Sequence, residues 1–112
     1  MNLVHEGKVK SVYDVDGDAQ RVIIKYHDKV TAGNGRLVEF PEEKGKICCL
    51  ISALLFELME KNNIKTHYLG TEGLDSMLCR KLTIIPVEVI VRNIAAGSLV
   101  KNTNINEGCL IQ

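Results

Sequence analysis

The chain contains no tryptophan and few aromatic residues of any kind, 4% in all. It therefore offers no platform on which nucleic-acid bases could stack. It also lacks charge of a prevailing sign: 14 Lys and Arg offset 14 Asp and Glu, which argues against nucleic acid or an anionic membrane surface as partner. Long apolar runs are missing too. The longest, Ile47 to Phe56, is too short to span a bilayer and is followed by Glu57. The opening MNLVHEGKVK has no apolar core of signal-peptide length. Cys48, Cys49, Cys79 and Cys109 form no CxxC pair, and His5, His27 and His67 are scattered. Neither a zinc site nor a disulfide framework is indicated, so reduced thiols and a cytoplasmic location are expected. Repeats, low-complexity tracts and linkers are absent from the sequence.

What is present is an ordinary globular mixture, 46% apolar and 25% charged over 112 residues. That is enough for one folded domain, or a piece of one. Lys8 to Val15 and Arg21 to Tyr26 read as strands joined by the turn Asp16–Gly17–Asp18. Asp28 to Arg36 reads as a loop. Pro41 introduces a helix with Glu42 and Glu43 in its first turn, where they suit the macrodipole. Ile47, Leu50, Ile51, Leu54, Leu55, Leu58 and Met59 recur at spacings of three and four, which predicts a face buried against a sheet. Asn62–Asn63 ends that helix. Thr66 to Leu69, Met77 to Leu82 and Ile84 to Arg92 read as further strands, and a short helix runs from Ser98 to about Asn102. The fold class is α+β, a mostly antiparallel sheet with one long packing helix.

Three stretches carry chemistry. In Pro86 to Lys101 (PVEVIVRNIAAGSLVK), Arg92 comes at a strand end and Ser98 opens a helix, with Ala95–Ala96–Gly97 between them. A guanidinium fork beside a helix N-terminus suits a phosphate or carboxylate, though the same pattern serves as a plain cap with a solvated arginine. In Gly7–Lys8–Val9–Lys10, a strand would point both ammonium groups to one face, and the bare Gly7 backbone would admit a phosphate. Two lysines on the wet face of a hairpin are the plain alternative. Thr31–Ala32–Gly33–Asn34–Gly35 can form an anion-binding nest of backbone amides, but it lacks the ending of a Walker A loop. Cys79 to Ile84 mixes apolar and charged residues ahead of Pro86, and a strand end there can present main-chain groups to an adenine edge.

The run EGKVKSVYDV, then TAGNG, then EKGKI, then CRKLTIIPVEVIVRNIAAGSLVK resembles the SAICAR synthetase family, in register over essentially the whole chain. The resemblance implies an ATP-dependent ligase of purine biosynthesis, joining a carboxylated aminoimidazole ribotide to L-aspartate with ATP and Mg²⁺. It implies a fold like the small ATP-covering lobe of protein kinases. Gly7, Lys8, Val9 and Lys10 would hold ATP phosphates, and Val9, Val22 and Cys79 would wall the adenine. Arg80, Lys81 and Leu82 would form the stretch along the adenine edge, with Arg80 and Leu82 offering main-chain groups. Arg92 and Ser98 would bind the ribotide, and Gly33 and Asn34 would face the reacting centre. No catalytic residue and no metal ligand is assigned within the chain. Two departures stand out: Cys48–Cys49 replaces the family's common Asn–Asn, and Lys29–Val30 replaces an acidic-then-small pair.

Family members continue well past Gln112 into a part that carries the acidic Mg²⁺ ligands. Residues 1–112 are thus expected to be one N-terminal ATP-binding domain, inactive alone and prone to self-association or homo-oligomerisation through exposed apolar surface. The alternative is a non-catalytic nucleotide-binding or regulatory module of the same fold.

Overall fold

The computed structural model describes residues Met1–Ile111. Its elements are β1 (Asn2–Glu6), β2 (Lys10–Val15), β3 (Asp18–Tyr26), β4 (Val30–Ala32), β5 (Leu37–Glu39), α1 (Lys44–Lys61), β6 (Tyr68–Thr71), β7 (Ser76–Arg80) and α2 (Ser98–Asn102). Five strands form one sheet in the order β1-β2-β3-β7-β6, and β4 and β5 form a separate ribbon. All strand pairs are antiparallel. The expected class, an antiparallel sheet with one main helix, is what the chain adopts.

Residue pairing sorts the side chains of the sheet. Lys10 lies opposite Tyr26, Val12 opposite Ile24, Asp14 opposite Val22, and Val22 and Ile24 opposite Cys79 and Met77. Partners across an antiparallel ladder share a face, so these residues line one side, and that side carries the core. Val22, Ile24, Met77 and Cys79 close around Cys49 of α1, flanked by Val12, Tyr26, Phe56 and Tyr68. Phe56 stacks on Tyr68 at 5.8 Å between ring centroids and meets His67 edge-on at 5.1 Å. On the opposite face the buried Ser11 shares a hydrogen bond of 2.7 Å between its Oγ and His27 Nε2.

The helix is seated the other way round from its apolar pattern. Gly45, Cys49 and Ala53 are its buried residues, whereas Ile47, Leu50, Ile51, Leu54, Leu55, Leu58 and Met59 are 38–59% exposed. The leucine-rich face, expected against the sheet, points away from it. Close approach explains the choice. A Cβ at Gly45 would stand 2.8 Å from the Tyr26 carbonyl oxygen, so only a small-residue face lets the helix start against the end of β3.

That approach also moves the helix entry. Asp28 Oδ1 accepts the Gly45 N–H at 2.7 Å, a cap supplied from the far side of a loop. Glu43 turns into the left-handed region at φ 62°, and no acidic residue lies in the first turn. Glu42 and Glu43 therefore precede the helix and do not support its dipole. The other end is as expected: Asn63 adopts φ 61°, and Asn62 donates through its N–H and its amide nitrogen to the Leu58 carbonyl.

Other boundaries shift. The strand expected from Lys8 is β2 and begins at Lys10, because Gly7 to Val9 form the turn out of β1, closed by Gly7 N–H to Lys10 O at 2.9 Å. The edge strand β1 is exposed throughout and carries no alternation to betray it. The Asp28–Arg36 loop is half of a hairpin, β4 and β5 flanking a turn in which Gly33, Asn34 and Gly35 all have positive φ. Ile84 to Arg92 is not a strand. It lies outside the sheet, and its Ile84, Ile85, Val87, Val89, Ile90 and Val91 are exposed. A run apolar on both faces needs neighbours on both faces, and the described residues supply none. Among the described residues no helix is long and apolar enough to cross a membrane, and the four cysteines are free.

Two substitutions check this seating of α1 by urea unfolding followed with circular dichroism. Asp28→Ala removes the cap and is expected to cost about 1 kcal/mol, with Asp28→Asn costing less. Gly45→Ala is expected to destabilise by roughly 1–3 kcal/mol through the clash with the Tyr26 carbonyl, although alanine is the better helix former. A neutral or stabilising Gly45→Ala would refute the close packing of helix on strand.

Candidate functional site

The sequence-derived site residues fall into four places. Lys10, Val22 and Cys79 share the helix-side face of the sheet. Lys10 Nζ lies 6.0 Å from the centre of the Tyr26 ring, within reach of a cation–π contact. Burial pushes the Cys79 thiol up to about 11, and the Lys10 charge partly opposes that rise. His67 is held below the ordinary imidazole range by burial and then by the same lysine. Val22 is nearly buried and Cys79 fully so; both are core residues packed on α1.

Gly7, Lys8 and Val9 sit in the β1–β2 turn. Because Lys8 is in the turn and Lys10 on the strand, strand alternation does not relate them, and the shared-face argument for the two lysines does not apply. Gly7 and Lys8 line a concavity of about 310 Å³ with Glu6, His27, Asp28 and Lys29. A Cβ on Gly7 would stand 3.1 Å from the Lys10 carbonyl oxygen, so the tight turn itself favours glycine. His27 holds this turn to β3 by donating its N–H to Val9 O at 2.8 Å. Neither His27 nor Asp28 was legible as a site residue. The sole cue was the position of both directly after the second predicted strand.

Arg80, Lys81 and Leu82 lie at the other end of the same strands, lining a cavity of about 430 Å³ with Asp18, Gln20, Arg21 and Leu69. The N–H of Arg80 donates to His67 O at 2.7 Å and that of Lys81 to Gln20 O at 2.8 Å. The ladder then stops, and Leu82 is exposed. Lys81 Nζ pairs with Asp14 at 2.6 Å, and Arg21 with Asp18. The Gln20 N–H and then the Arg21 side chain hold the Asp18 carboxyl below its ordinary range. The Arg80 and Lys81 N–H groups are thus spent within the sheet, and what remains to meet a flat ring is mixed charge and an apolar wall from Leu69 and Leu82.

Arg92 and Ser98 meet directly. Arg92 donates from Nη2 to Ser98 Oγ at 3.3 Å and from Nη1 to the Ala96 carbonyl at 3.0 Å. They line a cavity of about 410 Å³ with Ile90, Leu99, Asn102 and Thr103. Gly97 precedes the helix at φ 60°, a conformation that favours glycine. Behind it the chain is pinned: Ala95 is buried, donates to Cys109 O and accepts from Gly108 N–H. As α2 is only five residues long, the guanidinium, two of its five N–H groups engaged, is the stronger anion-binding element here. Gly33 and Asn34 stand apart at the exposed tip of the β4–β5 hairpin. Among the described residues no three carboxylate, imidazole or thiol groups converge in a way that would hold a metal ion.

The chain is similar to known proteins over nearly its whole length. A family model described as SAICAR synthetase matches residues 3–111. Phosphoribosylaminoimidazole-succinocarboxamide synthase of Methanocaldococcus jannaschii is 46% identical over 105 residues, 94% of this chain and 43% of that protein. The protein of the same name from Prochlorococcus marinus is 42% identical over 112 residues, all of this chain and 46% of its own length. Among solved structures, a SAICAR synthetase in complex with ADP superposes with a TM-score of 0.83 at 34% identity, covering 98% of this chain and 46% of that one. The corresponding synthase of Ehrlichia chaffeensis gives 0.83 at 32% identity, covering 99% and 46%. The chain thus spans just under half the length of the relatives it matches.

The burial of Cys79 predicts its reactivity. With its thiol pushed up to about 11, Cys79 is expected to resist iodoacetamide at pH 8 in the folded chain, as is the buried Cys49, while the exposed Cys109 is alkylated first. Peptide mass spectrometry after timed quenching reads the order. Cys79 reacting as fast as Cys109 would contradict the packing of α1 on β7.

Proposed function

The chain belongs to the SAICAR synthetase family, and we propose that it forms the ATP-binding part of a ligase that joins carboxyaminoimidazole ribotide to L-aspartate with release of ADP and phosphate. One observation carries the reading: a family match over residues 3–111 together with a TM-score of 0.83 to a relative in complex with ADP. The layout of the sheet supports it. Lys10 and the Gly7–Lys8 turn lie at one end of β2–β3, and Arg80 to Leu82 at the other. Lys10 is paired with Tyr26 and Arg80 with Arg21, so five residues separate the two ends, about 16 Å along a strand. That distance suits an extended nucleoside triphosphate, its base at Arg80–Leu82 and its phosphates near Lys10. The unit of sheet and helix would serve as a cover over the nucleotide, in the manner of a kinase small lobe.

The chemistry asks for activation of a carboxylate. An imidazole carboxylate is a poor acyl donor until one oxygen becomes a leaving group. Transfer of the γ-phosphoryl group to that oxygen gives an acyl phosphate and ADP. The aspartate amine then attacks the acyl carbon, forming the C–N bond, losing a proton and expelling phosphate. In this scheme Lys8 and Lys10 offset phosphate charge, and the bare Gly7 backbone admits a phosphate oxygen. Of the residues expected to wall the adenine, Val9 is exposed, whereas Val22 and Cys79 are covered by α1 and belong to the core, so they cannot touch the base while the helix is seated. Leu82 supplies a main-chain N–H beyond the ladder. Arg92, already oriented by Ser98 and Ala96, holds the ribotide phosphate, and the Gly33–Asn34 tip faces the reacting groups. The described residues gather no set of carboxylates that would hold Mg²⁺. The chain by itself is expected to bind nucleotide without turnover.

Isothermal titration of the chain with Mg·ATP tests the placement. Binding is expected, and Lys10→Ala should weaken it roughly tenfold, the scale of one lost charge-assisted contact. Equal affinity in a folded Lys10→Ala, or no binding by the folded parent, would overturn the assignment of ATP to this sheet. A coupled ADP-release assay should remain flat, and turnover would refute the expected inactivity of the chain alone.

A further inference from the structure

We propose that His27 is a positioning residue for phosphate binding, whose ring, bonded to the buried Ser11, holds the Gly7–Lys8–Val9 turn in place from behind. The proposal rests on the nucleotide reading of that turn. The turn needs a support because its outer side gives it none. It is entered through β1, an edge strand exposed along its whole length, whose register with β2 slips between Leu3 and His5. The last pair before the turn sets Glu6 opposite Ser11, and the bond from Gly7 N–H to Lys10 O at 2.9 Å lies within the turn itself. Neither contact ties it to the interior. A turn on an exposed edge strand belongs to the parts of a fold that open most readily, and binding to a loose turn carries the cost of ordering it.

The support comes from the other side, through β3. Lys10 and Tyr26 are the end pair of β2 and β3, so His27 stands one step beyond the strand, level with Val9. Its N–H donates to Val9 O at 2.8 Å, and its Nε2 shares a hydrogen bond of 2.7 Å with Ser11 Oγ. Backbone and ring thus grip the turn twice, once within it and once at its base. The Ser11 end of this grip is firm: the residue is 1% exposed, and a buried hydroxyl left without a partner is costly. The His27 end is firm too. Before it, Tyr26 N–H donates to Asp75 O at 2.8 Å. After it, Asp28 Oδ1 caps Gly45 at 2.7 Å and Lys29 O accepts from Lys44 Nζ at 2.9 Å. Residues 26–29 are therefore fastened to the start of α1 and to the turn before β7, and His27 passes that anchorage on to Gly7–Val9. The ring does so from the face opposite Lys10, since Lys10 and Ser11 alternate across β2. It acts on a phosphate through the turn, with no need to touch it.

Ser11→Ala deletes the partner of the ring and leaves the backbone bond of His27 in place. In the free chain, amide hydrogen exchange read by NMR is expected to quicken roughly tenfold at Gly7 and His27 and to stay unchanged at Met77 and Cys79 in β7. Titrated with Mg·ATP and with AMP, which carries the base without the terminal phosphates, the variant should lose roughly fivefold in affinity for ATP and stay within about twofold of the parent for AMP. Ser11→Thr keeps the hydroxyl and should restore both readouts. If circular dichroism shows that the threonine methyl disturbs the fold, His27→Ala applies the same test: Ser11→Ala added to it should cost no further ATP affinity, because the two side chains act as one unit. Turn amides indifferent to Ser11→Ala in a chain that binds ATP would overturn the positioning alone. So would an equal loss for ATP and AMP, the mark of a merely structural pair. A folded parent that binds ATP no more tightly than AMP would overturn the nucleotide reading of the turn and this proposal with it.

Discussion

The close seating of α1 on the end of β3 is the constraint from which the rest of the structure follows. Gly45 lies against the Tyr26 carbonyl with no room for a side chain, and Asp28 reaches across to cap its N–H. Once the helix starts there, the face made of Gly45, Cys49 and Ala53 must point inward. Larger side chains would hold the helix off the strand and open a gap over Val22, Ile24, Met77 and Cys79. Density in the core is thus achieved with small residues on the helix and large ones on the sheet, in keeping with the close packing of protein interiors.

The same seating determines which surfaces remain for other work. The leucine stripe is left facing outward, away from the sheet. On the sheet, Lys10 shares the helix-side face with Val22 and Cys79, and the cavity at Arg80–Leu82 opens where the β3–β7 ladder stops. A nucleotide would lie along the strands, its phosphates toward the turn that Gly7 makes possible. Arg92 is already held by Ser98 and Ala96, so its guanidinium is preorganised and has little side-chain entropy left to lose.

Much of the outline was legible in the residues. The β2–β3 hairpin with its Asp–Gly turn, the existence and Asn-rich end of α1, the strand leading into Arg80, and the short helix at Ser98 all follow from local patterns. Arg92 and Ser98 were legible as residues of one turn, but their direct hydrogen bond was not. Edge strand β1 escaped because it buries nothing, and β4 and β5 because three-residue strands around a glycine-rich turn read as loop. Ile84 to Arg92 reads as a strand by composition, yet no described element pairs with it. The roles of His27 and Asp28 are tertiary: each acts on a segment distant in sequence, Ser11 and Gly45 respectively.

The family was legible in the sequence alone, because motifs such as GKVK and RNIAAGS place residue types at fixed spacing. Which face of α1 is core was decided only in three dimensions. Periodicity reports that a helix has an apolar stripe, but the stripe is silent about whether a sheet or another molecule is to cover it. That choice rests on how near two backbones can come, a distance fixed here by Gly45 and the Tyr26 carbonyl, residues whose proximity no local pattern encodes.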